Sequence, residues 1–298
     1  MPSLRELVHF LVQRVGMLRY HVMYNISVNV GNTVLKIPVV EGQFPQHENY
    51  EPWLLTAVSR IFLRRPGAFI DVGANRGQTL INVVAADRTR RYIGFEPNIG
   101  CATFVDRIIE LNALRNHTIF PVGLADRSAV LQLLMSSTGS ESSTTAAGVR
   151  GAGAYTASKD VIVQTGDSIL DAMALQDVAI IKIDIEGAEL GALSGLRRTI
   201  ERHQPWLVFE VLPPALVDTV EARLRSADRA AVARKNEQRA AALQDFLREL
   251  RYSFRNIHGT GALRRTSSLN MGESADLSMS NFIASPDSQA HWLDEMFA

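Results

Sequence analysis

The sequence predicts an α/β protein: a doubly wound, Rossmann-like sheet with helices on both faces. Three observations carry that prediction. Short apolar runs near 68–72, 91–96, 118–124, 178–185 and 206–211 alternate with helical spacings. The runs are nearly continuous in apolar residues, as strands buried on both faces are. The first run ends in glycines that open a helix, where such folds place a ligand.

Taken in order, Leu4, Leu7, Val8, Leu11, Val12, Val15 and Leu18 fall at helical spacing and predict an amphipathic packing or lid helix over 4–20. A β-like stretch covers Ile26 to Val40, and residues 51–65 read as a helix opened by Glu51-Pro52. Residues 1–50 thus read as an N-terminal extension, helix plus short strands, and 51–298 as the main domain. Within it, strands alternate with helices at 79–86, 101–114 and 187–202. Ala129 to Met135 alternates like an additional edge strand. Residues 136–158, rich in Ser, Thr, Gly and Ala, read as a long surface loop, with Ser142 to Thr145 a polar run at an acceptor lid. An Ala/Arg-rich helix spans 215–250. Tyr252 to Ile257 and Ser278 to Ile283 read as closing strands, an antiparallel pair at the sheet edge.

Composition excludes several classes. The 298 residues are 46% hydrophobic and carry 31 basic and 31 acidic side chains, which argues against nucleic acid or an anionic membrane as partner. Cys101 is the single cysteine, so no intrachain disulfide can form. Charges interrupt every apolar stretch, which leaves neither a signal-peptide core nor a transmembrane helix, and a cytoplasmic location is expected.

The stretch from Phe69 to Gly77 carries most of the chemistry. Its glycines are spaced G-x-x-x-G, not the G-x-G-x-x-G of a pyrophosphate binder. Asp71 is placed near the first strand's end and Glu96 at the second's. A carboxylate about 4 Å from a pyrophosphate would repel it by roughly 4 kcal/mol per charge pair at an effective dielectric near 20. A donor carrying a sulfonium and an ammonium, S-adenosylmethionine, would be attracted instead. The competing explanation is a tight turn with an Asp helix cap. Farther on, Ile180 to Glu189 alternates, which places Lys182, Asp184 and Glu186 on one strand face. Three charges there are costly unless paired or used; a buried Lys182–Asp184 ion pair is the structural alternative to a catalytic role.

The stretches FIDVGANRGQT (69–79), IGFEPN (93–98), VGLAD (122–126) and IIKIDIEGAELGALSGL (180–196) resemble the FkbM-type S-adenosylmethionine-dependent methyltransferases. The resemblance covers about residues 50–285 and implies a seven-stranded methyltransferase sheet. It further implies that Asp71, Gly73, Asn75 and Gly77 form the cofactor loop and that Glu96, followed by Pro97, holds the ribose. Asp126 would lie near the adenine, and Asp184 beside the methionine moiety. Tyr50-Glu51 resembles a pair that often precedes this core, which adds Glu51 to the cofactor-binding set. The implied acceptors are hydroxyl groups of sugars and other secondary metabolites. Proton removal from such a hydroxyl requires a base; Asp184 and Glu186 are the first candidates, Glu210 the next, with His47 and His258 less suited. No spaced His/Cys cluster is present, and no metal is expected. The rival readings are a nicotinamide-dependent oxidoreductase, which lacks its glycine spacing here, and a non-enzymatic S-adenosylmethionine-binding protein.

Overall fold

A computed structural model describes residues 24–39, 51–136, 139–146, 155–213, 226–259, 261–270 and 279–296. The helix expected over 4–20, His47 and Tyr50 lie outside these residues.

The main sheet is built on strands whose every residue is buried: β3 (Ala68–Val72), β4 (Tyr92–Phe95) and β10 (Val178–Ile183). With β5 (His117–Phe120) and β11 (Trp206–Glu210) they form five parallel strands in the order β5-β4-β3-β10-β11. Beyond β11 the sheet turns antiparallel through β14 (Asn281–Pro286), β12 (Tyr252–His258) and β13 (Ala262–Arg265). The sheet therefore has eight strands among the described residues, one more than expected, because β13 pairs outside β12. The two closing strands do pair antiparallel, but β14 inserts between β11 and β12.

Alternation along these strands sends side chains to two cores. Phe69, Ile180, Trp206 and Val208 face one layer, with α1 (Leu54–Phe62), α2 (Gln78–Ala86) and α3 (Ile99–Leu111). Ile70, Ile181, Ile183 and Phe209 face the other, with α4 (Gly166–Ala172), α5 (Glu189–Gly195), α6 (Arg197–His203) and the long α7 (Ser226–Glu249). The chain closes with α8 (Ala290–Met296). The hairpin of β1 (Tyr24–Val30) and β2 (Thr33–Val39) buries Val28, Leu35 and Ile37 in the first layer. Asn112 ties it there, accepting from the Lys36 amide and donating to the Lys36 carbonyl, both at 2.8 Å.

Two expectations fail between 118 and 158. The single strand expected over 118–124 divides: β5 stays in the main sheet, while β6 (Gly123–Leu124) leaves it. The presumed loop over 136–158 contains β8 (Gly139–Thr144) and the start of β9 (Tyr155–Gln164). With β7 (Ala129–Ser136) these form a separate four-stranded sheet, β6-β9-β7-β8, so β7 edges no main-sheet strand. Val161 and Val163 alternate onto Leu133 in its small core, a pattern masked in the sequence by the polar Thr156 to Asp160 before it.

Helix α6 starts without a cap of its own. Asp167, buried on α4, supplies it: its carboxylate accepts from the backbone amides of Arg198 and Thr199, both at 2.9 Å, and from the Thr199 hydroxyl at 2.7 Å. Asp167→Ala orphans these donors, and differential scanning calorimetry should show Tm lower by about 2–6 °C.

Candidate active site

The chain runs from β3 outward through β4 to β5, then returns to β10 on β3's other side, so β3 and β10 flank the crevice where open α/β sheets bind ligands. A cavity of about 230 Å³ lies there. Its floor comes from the carboxyl tips of four adjacent strands: Val72, Gly73 and Asn75 after β3, Glu96 and Pro97 after β4, Asp184 to Glu186 after β10, and Glu210 closing β11. The second sheet roofs it with Leu133, Val163 and the Ser143–Thr145 segment. Thr144 is buried and fastens roof to floor: its hydroxyl donates to the Ile185 carbonyl at 3.3 Å and accepts from the Ala146 amide at 2.9 Å.

Gly73 has φ +89°, and a Cβ built on it would lie 2.1 Å from the Asp184 carbonyl oxygen. A Cβ on Gly77, also at φ +89°, would meet Ile108 at 3.2 Å, and Gly77 does not line the cavity. Protein packing therefore demands both glycines, and of the two only Gly73 lines the cavity. Three non-glycine residues of the cavity wall, Glu51 (φ 42°), Asn75 (φ 45°) and Glu186 (φ 56°), also adopt the left-handed conformation. Such geometry costs about 1–3 kcal/mol per residue and collects at functional sites.

Five carboxylates line the cavity, Glu51, Glu96, Asp184, Glu186 and Glu210, and no Lys or Arg does among the described residues. Glu96 accepts from the Asn75 amide at 2.9 Å and the Asn98 amide at 2.8 Å. Burial nevertheless pushes its carboxyl up to about 7. Glu51 is likewise raised to about 7 by burial, against the pull of Lys182. Glu210 is raised well above the usual range by burial and by Asp184 and Glu186, and accepts from the Ser280 hydroxyl at 2.7 Å.

Other assigned residues are placed differently. Asp71 is fully buried within β3, outside the cavity wall; it accepts from the Tyr92 hydroxyl at 2.5 Å, and burial raises it to about 6. It cannot meet a ligand's charge directly, contrary to the electrostatic reading of the sequence. Lys182, also fully buried, pairs with Asp184 at 2.9 Å and Glu51 at 3.4 Å, so the ion pair weighed above is real and gains a third member. Strand β10 ends at Ile183, so Glu186 is aimed by its left-handed turn rather than by strand alternation. Asp126 is exposed, pairs with Arg127 and lies off the cavity wall, and His258 is not part of it. Of the roof residues, Ser143 to Thr145 fall within the polar run that the sequence places at an acceptor lid, whereas Leu133 and Val163 are not identified there as site residues; the alternation of 129–135 and of Val161 and Val163 is the available signal.

The acids with raised values hold protons more tightly folded than unfolded. Their stabilising contribution is complete below their ordinary values, near 4.5, and is lost as pH rises through about 7. The ligand-free protein should lose Tm across that window in a pH series of thermal melts. Glu96→Gln should flatten the slope, and an unchanged slope would count against Glu96 as a contributor.

A methyltransferase FkbM domain model matches residues 71–254, well over half of the chain. No curated protein matches the sequence. Similar solved structures include an FkbM methyltransferase from Methylobacillus flagellatus KT, at 16% identity and TM-score 0.44. That match covers 76% of this chain, which spans only 47% of the other. The plantazolicin methyltransferase BpumL in complex with SAH is 8% identical with TM-score 0.43, covering 79% and 83% of the two chains. A putative O-methyltransferase from Klebsiella pneumoniae is 10% identical with TM-score 0.42, covering 82% and 83%. On the strength of the domain match, this chain belongs to the FkbM methyltransferase family.

Proposed function

We propose that the protein transfers a methyl group from S-adenosylmethionine to a small-molecule acceptor, a hydroxyl of a sugar or secondary metabolite. The observation that carries this reading is the charge of the cavity: five lining carboxylates and no lining cation among the described residues. An anionic cofactor would be repelled there, whereas a sulfonium and an ammonium are matched. Family membership supports the same chemistry.

The donor supplies a methyl group already activated by its positive sulfur. The chain's own work is then positioning and proton management. Glu96, fixed by two backbone amides, presents a rigid acceptor to the ribose hydroxyls at the β4 tip. Gly73, Asn75 and Pro97 shape the wall beside it, and Asp184 with Glu51 receives the positive charge. Glu210 is the best-suited base. It closes the strand next to β10, whose tip carries Asp184, and in its ionised form, which the donor's positive charge favours, it has a higher proton affinity than an ordinary carboxylate. Asp184, committed to Lys182, suits the role of charge anchor better than that of base.

Isothermal titration calorimetry with S-adenosylhomocysteine and with NAD tests the donor class: heat with the first and none with the second is expected, and the reverse would establish the oxidoreductase reading. With S-adenosylmethionine and a panel of sugars and hydroxylated metabolites, Glu210→Gln should cut kcat by about 10²–10⁴-fold while S-adenosylhomocysteine affinity stays within about threefold. Full turnover by this variant would exclude Glu210 as the base.

A further inference from the structure

Lys182 performs no step in the reaction just described, yet it is among the largest fully buried side chains in the protein. It projects from the middle of the sheet toward the α1–α2 layer, beneath the cavity floor. Two carboxylates of the cavity wall meet its ammonium: Asp184 from the end of its own strand at 2.9 Å, and Glu51 from the segment before α1 at 3.4 Å. A third, Asp71, is its register partner on the adjacent β3. Asp71 is held in turn by Tyr92 from β4. Glu96, Glu186, Glu189 and Glu210 are further carboxyl groups near these strand tips. Of the helices on this face, α1 carries Arg60 and α3 carries Asp106, Arg107 and Glu110, all exposed, and α2 carries no charged residue.

An isolated buried ammonium would shed its proton, and an isolated group of buried carboxylates would take protons up. Together they are mutually sustained, and the arrangement has a direction. The ammonium lies below the floor, whereas Asp184 and Glu51 present themselves at the cavity. A cation so placed keeps carboxylates charged without occupying the space in which a positively charged ligand must sit. It also ties Glu51, which enters from the N-terminal side in a left-handed conformation, to the β10 tip some 130 residues away.

We propose that Lys182 is a positioning residue of this site: its ammonium, buried under the floor, fixes Glu51 and Asp184 as the paired carboxylates that receive the donor's positive charge. This rests on the reading of the cavity as a sulfonium-donor site. A residue that only fills the core would affect ligand binding equally at every pH. A residue that sustains the charge of its neighbours would move the pH at which binding develops.

The test is calorimetric titration of S-adenosylmethionine, in the absence of an acceptor, into the full chain between about pH 6 and 8.5. The variants are Lys182→Met, Lys182→Arg and Glu51→Gln. Lys182→Met should move the midpoint of binding upward by about 1–3 pH units, which near neutrality weakens affinity about tenfold for each unit. Lys182→Arg should restore much of the wild-type midpoint because it restores the cation. Glu51→Gln leaves the ammonium fewer carboxylates to serve, so its midpoint should move downward; this variant keeps the test decisive if Lys182→Met does not fold. A uniform loss of affinity across the pH range in Lys182→Met, or an unmoved midpoint in Glu51→Gln, overturns the assignment. If the wild-type protein shows no heat at any pH, the donor reading itself fails and takes this assignment with it.

Discussion

The constraint on which the site depends is the meeting of the two central strand tips. The Asp184 carbonyl approaches the Gly73 backbone so nearly that any side chain at 73 would collide with it, and the Asp184 amide donates to the Val72 carbonyl at 3.0 Å. This contact closes the bottom of the crevice and fixes the relative height of the β3 and β10 tips. Asn75 and Asp184 then reach the same cavity. The Asn75 amide orients Glu96 on the neighbouring strand, so one glycine sets the positions of carboxylates on both sides of it.

Electrostatics builds on that geometry. Carboxylates stand at the tips of β4, β10 and β11, with Glu51 arriving from outside the sheet. Burial first, and like charges after it, raise the proton affinity of Glu51, Glu96 and Glu210, and the sheet offsets part of the cost with a lysine beneath the floor and with backbone amides at Glu96. The ligand-free site therefore holds protons that a cationic ligand would displace. Its acidity reflects a demand for positive charge that the protein meets only in part.

Much of this was legible in the sequence, for physical reasons. Parallel strands buried on both faces must be apolar throughout, so β3, β10 and β11 stood out within a residue or two of their observed limits. Polar residues that interrupt such strands stood out equally, which located Asp71, Lys182 and Asp184. What the sequence could not convey was direction. Asp71 and Asp184 look alike as strand carboxylates, yet one points into the core toward Tyr92 and the other into the cavity; the difference lies in where each strand stops. Glycine spacing showed a tight approach but not that the Asp184 carbonyl and Ile108 take part in it. The second sheet stayed hidden because β8 and the first half of β9 are polar, and because β7 and β9 pair residues 19 to 34 apart.

The roof and the floor belong to different ladders. Among the described residues, strands β6 to β9 pair with one another and with no strand of the eight-stranded sheet, and their own buried core is Leu133, Val161 and Val163. Substitutions at Ser143, Thr145 or Leu133 would therefore reshape the ceiling over the reacting groups without shifting the register of any strand that carries a floor carboxylate. Such modularity lets one donor platform accommodate differently shaped guests by redecorating a canopy held down at the Thr144–Ile185 contact.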